Sequence, residues 1–441
     1  MSKLFKGKKI VIMGLGLHGG GVGVAKFFCK QGAEVLITDL KTKKQLSDSI
    51  EKLEKLNIKY SLGGHKAEDF IKADMIIKNP DVPNSSPYLE IARKNNVPIE
   101  TDINLFFKLS NVFIIGITGT KGKSTVASLI YRFLKTKYPR VFLAGNIGIS
   151  PLELISKMKR GDKVVLELSS FELENLQDSP DIAVITNILP DHLNRYSNMA
   201  EYVKVKKIIF KYQKEEDVLI LNKDDSFSKK FAEEAKSKVY FFSSSDAKKI
   251  KTNNSNFFGE HNLYNFSAAT TVAKILKIPF KNIKKSIEAF KGVSGRQEFI
   301  KEINEVKYFN DTTATMPKAS LVAINSFRQK FPDFQLILIC GGQDKNLDYK
   351  EFVKEVNKKI DVLVILPGTA SDKIKKELSN LKSKIPIVNT ASMKEAVKEA
   401  KKRAIKKSII LLSPASASFN LFKNEFDRGS QFIKYINEKT Y

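Results

Sequence analysis

The chain has 441 residues, 42% of them hydrophobic, and a formal net charge of +27. That length exceeds what one hydrophobic core usually organises, so two or three domains are expected. No apolar run approaches the roughly 20 residues needed to cross a bilayer, which excludes membrane insertion. The two cysteines, Cys29 and Cys340, offer neither a disulfide framework nor a thiolate metal site, and both are expected as buried reduced thiols. The basic excess is mostly lysine, spread along the whole chain, with runs such as Lys284-Lys285 and Lys401-Lys402-Arg403 in helical segments. It reads as a solvated surface that attracts polyanionic small substrates, not as a nucleic-acid-binding stripe.

The N-terminal segment MSKLFKGKKIVIMGLGLHGGG has a basic start and an apolar stretch. Glycines interrupt that stretch and no small-residue cleavage site follows, so it is expected to be the first strand of a cytoplasmic fold. The apolar runs KKIVIMG, AEVLIT and ADMIIKN build a first unit that closes near Phe107, after the polar loop NPDVPNSSP. Within it Gly14, Gly16 and Gly19 follow a strand and precede a helix, and Asp39 ends the next strand. Such glycines let a backbone approach a diphosphate at a helix N-terminus. Three readings stay open for them: a nicotinamide dinucleotide, the diphosphate of another nucleotide such as a UDP-sugar, or a tight turn with no ligand.

A second unit begins at Asn111. The strand FIIGI runs into Gly119-Thr120-Lys121-Gly122-Lys123-Ser124-Thr125 and then the helical pattern VASLIYRFL. Backbone amides of such a turn surround a phosphate, the lysine adds charge, and the hydroxyl can ligate Mg²⁺. A charge pair at about 4 Å with an effective dielectric near 20 is worth roughly 4 kcal/mol before desolvation, enough to position a triphosphate. The loop is shorter than the general G-x-x-x-x-G-K-[ST] pattern, since position 117 is Ile. Further on, Glu167 lies toward the C-terminal end of the apolar strand VVLEL, where a carboxylate faces the ligand crevice of a parallel sheet and can bind Mg²⁺. IAVITNI delivers Asp191-His192 to the same edge. EYVKVKKIIF is helix-like, and by composition its Lys204, Lys206 and Lys207 form an exposed basic face. The unit ends at GVSGRQEF, and FQLILICGG, DVLVILPG and SIILLSP make up a third.

Continuous apolar strands separated by helices indicate parallel sheets covered on both faces. The expected fold is α/β with three domains: a Rossmann-like domain at 1–108, a central P-loop ATPase domain with a mostly parallel sheet at 109–293, and a C-terminal Rossmann-like domain at 294–441.

In order along nearly the entire chain, GTKGKST, ELSSFELE, PDHLNRY, EYVKVKKIIF, GEHNLYN, GRQEF, NDTTAT, GGQDK and LSPASASFNLFKNEFDRG together resemble the Mur ligase family. GLGL at the first turn, GGQDK and LSPASASF place the likeness in its D-glutamate-adding branch. The resemblance implies an ATP-dependent ligase that joins D-glutamate to UDP-N-acetylmuramoyl-L-alanine through an acyl phosphate, in peptidoglycan precursor synthesis. It implies two Mg²⁺ ions, CO₂ held as a lysine carbamate, no nucleic-acid partner and a monomer.

Carried over by position, the resemblance makes the first glycine turn a UDP site of Gly14, Gly16, Leu17, His18 and Asp39. It implies that Lys123 contacts the β- and γ-phosphates, that Ser124 and Glu167 ligate one Mg²⁺, that His192 serves the second, and that Lys206 is the carbamylated lysine. Asn146 matches a substrate-positioning asparagine. The ATP site comprises Gly119 to Thr125 with Asn262, Asn265, Arg296 and Asp311 near adenine and ribose, and Thr315, Lys345 and Ser418 match positions for the incoming amino acid. Three positions depart from the common pattern: Lys121 stands where many relatives have Asn, His18 replaces a frequent small hydroxyl residue, and Glu425-Phe426 reverses a common order. Two other readings remain: a family member with a different acceptor, such as a folylpolyglutamate-synthase-like enzyme, and a nucleic-acid-dependent P-loop ATPase.

Overall fold

The computed structural model describes residues 3–17, 19–192, 195–248, 260–418 and 421–438. The chain divides into two compact units, Met1–Thr252 with His261–Ile287, and Asn253–Glu260 with Glu288–Tyr441.

The first unit carries two parallel sheets. One consists of β1 (Lys9–Met13), β2 (Glu34–Asp39), β3 (Ile58–Leu62), β4 (Met75–Lys78) and β5 (Ile99–Glu100), in the order β3-β2-β1-β4-β5. The other consists of β6 (Phe113–Thr118), β7 (Val141–Gly145), β8 (Lys163–Glu167), β9 (Ile182–Ile185), β10 (Val218–Asn222) and β11 (Lys238–Phe242), in the order β11-β10-β9-β6-β8-β7. Strands buried on both faces need apolar residues at every position, which is why Ile10 to Met13 and Ile182 to Ile185 are all buried. In each sheet the chain order reverses beside a central strand, β1 and β6. The loops leaving those strands therefore open into the crevice where parallel sheets bind ligands.

The two sheets share one apolar core. Phe28 of the helix Gly20–Lys30, Phe106 of the helix Asp102–Leu109 and Leu152 of the helix Pro151–Ile155 join Leu166 and Ile209 in a single buried cluster. The Ser150 hydroxyl donates to the buried Asp102 carboxylate over 2.8 Å at the same junction. This continuity explains why the first two sheets form one compact unit.

The second unit holds one sheet of β12 (Glu298–Ile303), β13 (Val306–Asn310), β14 (Gln335–Cys340), β15 (Val362–Ile365), β16 (Ile387–Asn389) and β17 (Ser408–Leu412), in the order β12-β13-β17-β14-β15-β16. Alternate residues of β14 serve opposite cores: Leu336, Leu338 and Cys340 face one, Ile337 and Ile339 the other. One strand departs from the parallel pattern: β12 pairs antiparallel with β13. Asn304 and Glu305 both take positive φ, 49° and 63°, the geometry of a two-residue hairpin turn whose twist matches its strands.

Both cysteines are free. Cys340 is fully buried, and burial pushes its thiol up to about 12. Cys29 is only half-buried, contrary to expectation, because it sits near the end of its helix.

Candidate active site

The phosphate loop leaves β6 and ends on the helix Lys123–Lys135, with Gly122 as its N-cap at φ 87°. Side chains are excluded at two of its positions. A Cβ on Gly119 would lie 2.0 Å from Thr186 Oγ1, and one on Gly122 would lie 2.2 Å from Asn265 Oδ1. The loop is further held from below, since Thr120 N–H donates to the Asn187 carbonyl (2.8 Å) and the Thr186 hydroxyl to the Lys121 carbonyl (2.6 Å). Lys123 Nζ donates to the Gly119 and Thr120 carbonyls, each at 3.0 Å, so its ammonium lies over the loop. Ser124 occupies the first helical turn and is buried. Asn262 and Asn265 are buried on the helix Glu260–Ile275 and bonded to each other at 3.1 Å.

Glu167 ends β8, in register with Ile117 of β6, so its carboxylate emerges beside the loop. Its side chain is 1% exposed. Oε1 accepts from Asn146 Nδ2 at 3.0 Å, while Oε2 is buried without a hydrogen-bond partner. Leaving a buried carboxylate oxygen unsatisfied is costly unless a cation or donor meets it.

The turn after β9 presents Asp191 and His192. His192 holds φ 55°, uncommon for a residue with a side chain, and its ring meets Phe171 edge-on at 4.8 Å. Burial, reinforced by the charges of Lys123, Lys206 and Lys121, outweighs Asp191 and holds the imidazole below its ordinary value, which favours the neutral, ligating form. Lys121 pairs with Asp191 over 3.0 Å. Burial pushes the Asp191 carboxyl up, but Lys121 and His192 more than offset it and hold it below the usual range. The additional lysine of the loop thus has a carboxylate partner.

Lys204, Lys206 and Lys207 of the helix Met199–Lys211 separate sharply, and the exposed basic face expected of them does not exist. Lys204 is exposed and Lys207 pairs with Glu234 at 2.5 Å. Lys206 is 1% exposed, and its Nζ donates to the Thr118 hydroxyl (3.0 Å) and the Gly119 carbonyl (3.2 Å). The helical period explains this, since Tyr202, Lys206 and Ile209 share the stripe that faces the core. Burial, aided by the Lys123 charge, drives the Lys206 amine well below its ordinary value.

Among the described residues, no three or more His, Cys, Asp or Glu side chains gather into a metal cluster. The donors fit Mg²⁺ in its commoner mode, in which one or two protein oxygens share the ion with substrate phosphates. The orphaned Glu167 Oε2 and the Ser124 hydroxyl are hard oxygens of that kind.

At the first sheet, Gly14, Gly16 and Gly19 all take positive φ. Asp39 holds this turn together: Oδ2 accepts from Leu15 N–H (2.9 Å) and Gly16 N–H (3.3 Å), and Oδ1 from Lys41 N–H (2.9 Å). Leu17 is partly buried against the core, and His18 lies outside the described residues. A Cβ on Gly19 would come 2.7 Å from the Gly148 carbonyl, so this turn abuts the loop that carries Asn146.

In the second unit the expected residues follow three adjacent strands. Asp311 and Thr315 come after β13, Lys345 after β14 and Ser418 after β17, with Arg296 just before β12. Asp311 is buried, bonded to the Ser413 hydroxyl (2.7 Å) and Gln297 N–H (3.1 Å), and burial raises its carboxyl to about 7. Arg296 and Lys345 are exposed, whereas Ser418 is buried. Two residues were not singled out from sequence. Arg428, fully buried, donates to Thr312 and to the Ser416 carbonyl and so ties together the loops before Thr315 and Ser418. Tyr202 bonds to the Thr120 hydroxyl at 3.1 Å beneath the phosphate loop. Its signal was the same helical stripe that carries Lys206.

A parallel-sheet phosphate loop, a buried lysine beneath it and a carboxylate at the neighbouring strand end define a nucleotide-dependent enzyme with substrate crevices on further α/β sheets. The chain belongs to the Mur ligase family. The Mur ligase MurD-like N-terminal domain matches residues 8–101, the Mur ligase middle domain 117–273, and the Mur ligase glutamate ligase domain 295–416. The UDP-N-acetylmuramoylalanine--D-glutamate ligase of Roseiflexus sp. is 35% identical, covering 98% of this chain and 99% of its own. The protein of the same name from Borreliella afzelii is 39% identical, covering 98% of each. Among solved structures, the UDP-N-acetylmuramate-alanine ligase of Thermotoga maritima shares the fold with a TM-score of 0.64 at 19% identity, over 97% of this chain and 99% of that one.

Proposed function

We propose that this chain joins D-glutamate to UDP-N-acetylmuramoyl-L-alanine at the expense of ATP, a step of peptidoglycan precursor synthesis. The observation that carries the chemistry is Lys206, a buried amine bonded to Thr118 and Gly119 directly under the phosphate loop. Near-full-length similarity to D-glutamate ligases supports the choice of acceptor.

A carboxylate is a poor electrophile, so its oxygen first attacks the γ-phosphorus of ATP, breaking the bond to the β-phosphate bridge and releasing ADP. The amino group of D-glutamate then adds to the acyl carbon, gives up a proton and expels phosphate. Lys123 and the loop amides from Gly119 to Thr125 hold the phosphates. Asn262 and Asn265, with Arg296 and Asp311, take the nucleoside, and Asn146 orients the acceptor. Ser124 and Glu167 would hold one Mg²⁺ and His192 would serve a second, and the ions would supply charge neutralisation while several anions converge. Lys206, whose amine burial holds well below its ordinary value, would be the residue to take CO₂ at Nζ with loss of a proton, which would put a carboxylate in place of the amine beneath the phosphate loop.

In this reading residues 1–108 take the UDP moiety through the turn of Gly14, Gly16, Leu17, His18 and Asp39, with Asp39 acting by holding the turn. Residues 109–293 turn over ATP, and 294–441 receive D-glutamate through Thr315, Lys345 and Ser418, where the Lys345 ammonium suits a side-chain carboxylate. The chain works as a cytoplasmic monomer. Phosphate release with ATP, Mg²⁺ and UDP-N-acetylmuramoyl-L-alanine, scanned over D-glutamate, L-glutamate, L-lysine and diaminopimelate, tests the assignment. Turnover with another amino acid and none with D-glutamate overturns it.

A further inference from the structure

The PDHLNRY segment contributes more than Asp191 and His192. Arg195, three residues on, has a 17% exposed side chain and forms a bidentate pair with Glu174, itself 10% exposed: Nε to Oε1 at 2.9 Å and Nη2 to Oε2 at 2.8 Å. Tyr196 donates to the same Oε1 at 2.9 Å. The remaining guanidinium donors reach the first sheet, with Nη1 bonded to the Asp81 carbonyl and Nη2 to the Pro80 carbonyl, each at 3.1 Å. These carbonyls belong to the polar loop after β4. An ion pair this buried is costly unless its geometry is good and its other donors are satisfied, and here four of the five guanidinium N–H groups are bonded.

Two contacts carry this order to His192. The Arg195 guanidinium carbon lies 4.1 Å from the centre of the Phe171 ring, and the His192 ring meets Phe171 at 4.8 Å. Arg195 and Tyr196 N–H groups also both donate to the His192 carbonyl, at 2.9 and 3.1 Å. The strained φ of His192 therefore persists in a turn that is tied down downstream.

We propose that Arg195 is a positioning residue for His192, acting through Phe171 and fixing the imidazole in register with the loop after β4 on the first sheet. Glu174 holds the guanidinium in place, and neither Arg195 nor Phe171 touches the reacting atoms. The inference rests on the function proposed above only for what His192 does in turnover.

The test uses the full chain with isotope-labelled histidine. There are four histidines, and the His192 ring signals are identified by their loss in His192→Gln. His65, packed against Phe70 and Tyr88, serves as an internal control for the fold. Arg195→Gln and Phe171→Leu should each displace the His192 ring resonances and leave those of His65 in place. Arg195→Lys should displace them too, because an ammonium keeps the charge but cannot bridge Glu174 and both carbonyls. Resonances of His192 that stay put in Arg195→Gln, or His65 signals that move as far as those of His192, overturn the proposal. This arm needs no substrate, so it stands apart from any failure of the acceptor assignment. With substrates, each single variant should lose on the order of 10²-fold in kcat with little change in KM for ATP. The double variant should lose no more than the worse single, and losses that multiply overturn the relay through Phe171.

Discussion

Lys206 Nζ donates to the hydroxyl of Thr118, the last residue of β6, over 3.0 Å. The one fully buried lysine of its helix is thereby bonded to the strand that launches the phosphate loop, while Lys204 faces solvent and Lys207 pairs with Glu234. Lys206→Ala should lose at least about 10³-fold in kcat, the scale on which removing a preorganised charge from a closed site is felt. Lys204→Ala should stay within threefold of wild type. Steady-state phosphate release separates the two, and equal losses would remove Lys206 from its special role. Carbon-13 bicarbonate adds a direct measurement: a carbamate carbon signal is expected in the wild type and not in Lys206→Ala.

Glu167 places function and stability in opposition. Its Oε2 is buried with no partner, and an unsatisfied buried oxygen typically costs about 1–3 kcal/mol. In Glu167→Gln, the carboxamide oxygen can still accept from Asn146 while a buried formal charge disappears. Melting in the absence of Mg²⁺ and nucleotide should show Tm unchanged or higher, while kcat falls at least about 10²-fold and Mg²⁺ no longer restores it. A large drop in Tm would show that the carboxylate is structural.

Much of this was legible in the sequence because the signals were local. The glycine turns after β1 and β6 announce themselves, since only residues without a Cβ fit beside Asn79 and Gly148 in the first and Thr186 and Asn265 in the second. Most apolar strands with both faces buried read clearly, although β10 was passed over with all five of its residues buried. The edge strands β3, whose Lys59 and Tyr60 are exposed, and β16, where Ile387 and Asn389 are exposed, did not stand out because an edge strand is not required to be apolar, and β5, β7 and β11 were missed as well. The hairpin of β12 and β13 went unseen because Asn-Glu is a weaker turn signal than Asn-Gly. Composition misread the lysine helix, although Lys206 lies on the stripe of Tyr202 and Ile209 and the helical period alone marks it. Asp39 shows the converse. Its position at a strand end suggested a ligand contact, whereas its oxygens close the turn around Leu15 and Gly16. The Arg195–Glu174 pair joins residues on separate elements, and no spacing in the chain reveals it.

Lys121 and Asp191 form an ion pair whose side chains are 68% and 27% exposed. Solvent-facing pairs contribute about 0–1 kcal/mol, so Lys121→Asn should move Tm by no more than about 2–4 °C. The electrostatic effect on the site is larger than that on the fold. With the lysine gone, Asp191 loses the cation that holds its carboxyl low, and a phosphate above the loop loses one nearby positive charge. KM for ATP should rise several-fold, more at low ionic strength than at high, with kcat within threefold of wild type. Nucleotide titrations at two salt concentrations check this, and an unchanged KM at low salt would assign Lys121 to the Asp191 pair alone.

Asp311 makes the stability of the second unit depend on pH. Burial raises its carboxyl from an ordinary 3.8 to about 7, with Ser413, Gln297 and Arg296 opposing the rise. A carboxyl raised on folding binds its proton more tightly in the folded chain. Its stabilising contribution is therefore fully present below about pH 4 and is lost as pH rises to about 7, at a limiting rate of about 1.4 kcal/mol per pH unit. Asp311→Asn removes that dependence. Its carboxamide oxygen can accept from Gln297 N–H, and its Nδ2 can face Ser413, whose hydroxyl also bonds to Ser320 at 2.8 Å and can turn to accept. Relative to wild type, the variant should gain stability steadily between about pH 4 and 7 and hold a constant advantage above that range. Denaturant midpoints for the two proteins across that span measure the difference, and a difference independent of pH would show that Asp311 is ionised throughout. Activity should fall in the same variant at every pH, because the carboxylate lies among the positions expected to face the nucleoside.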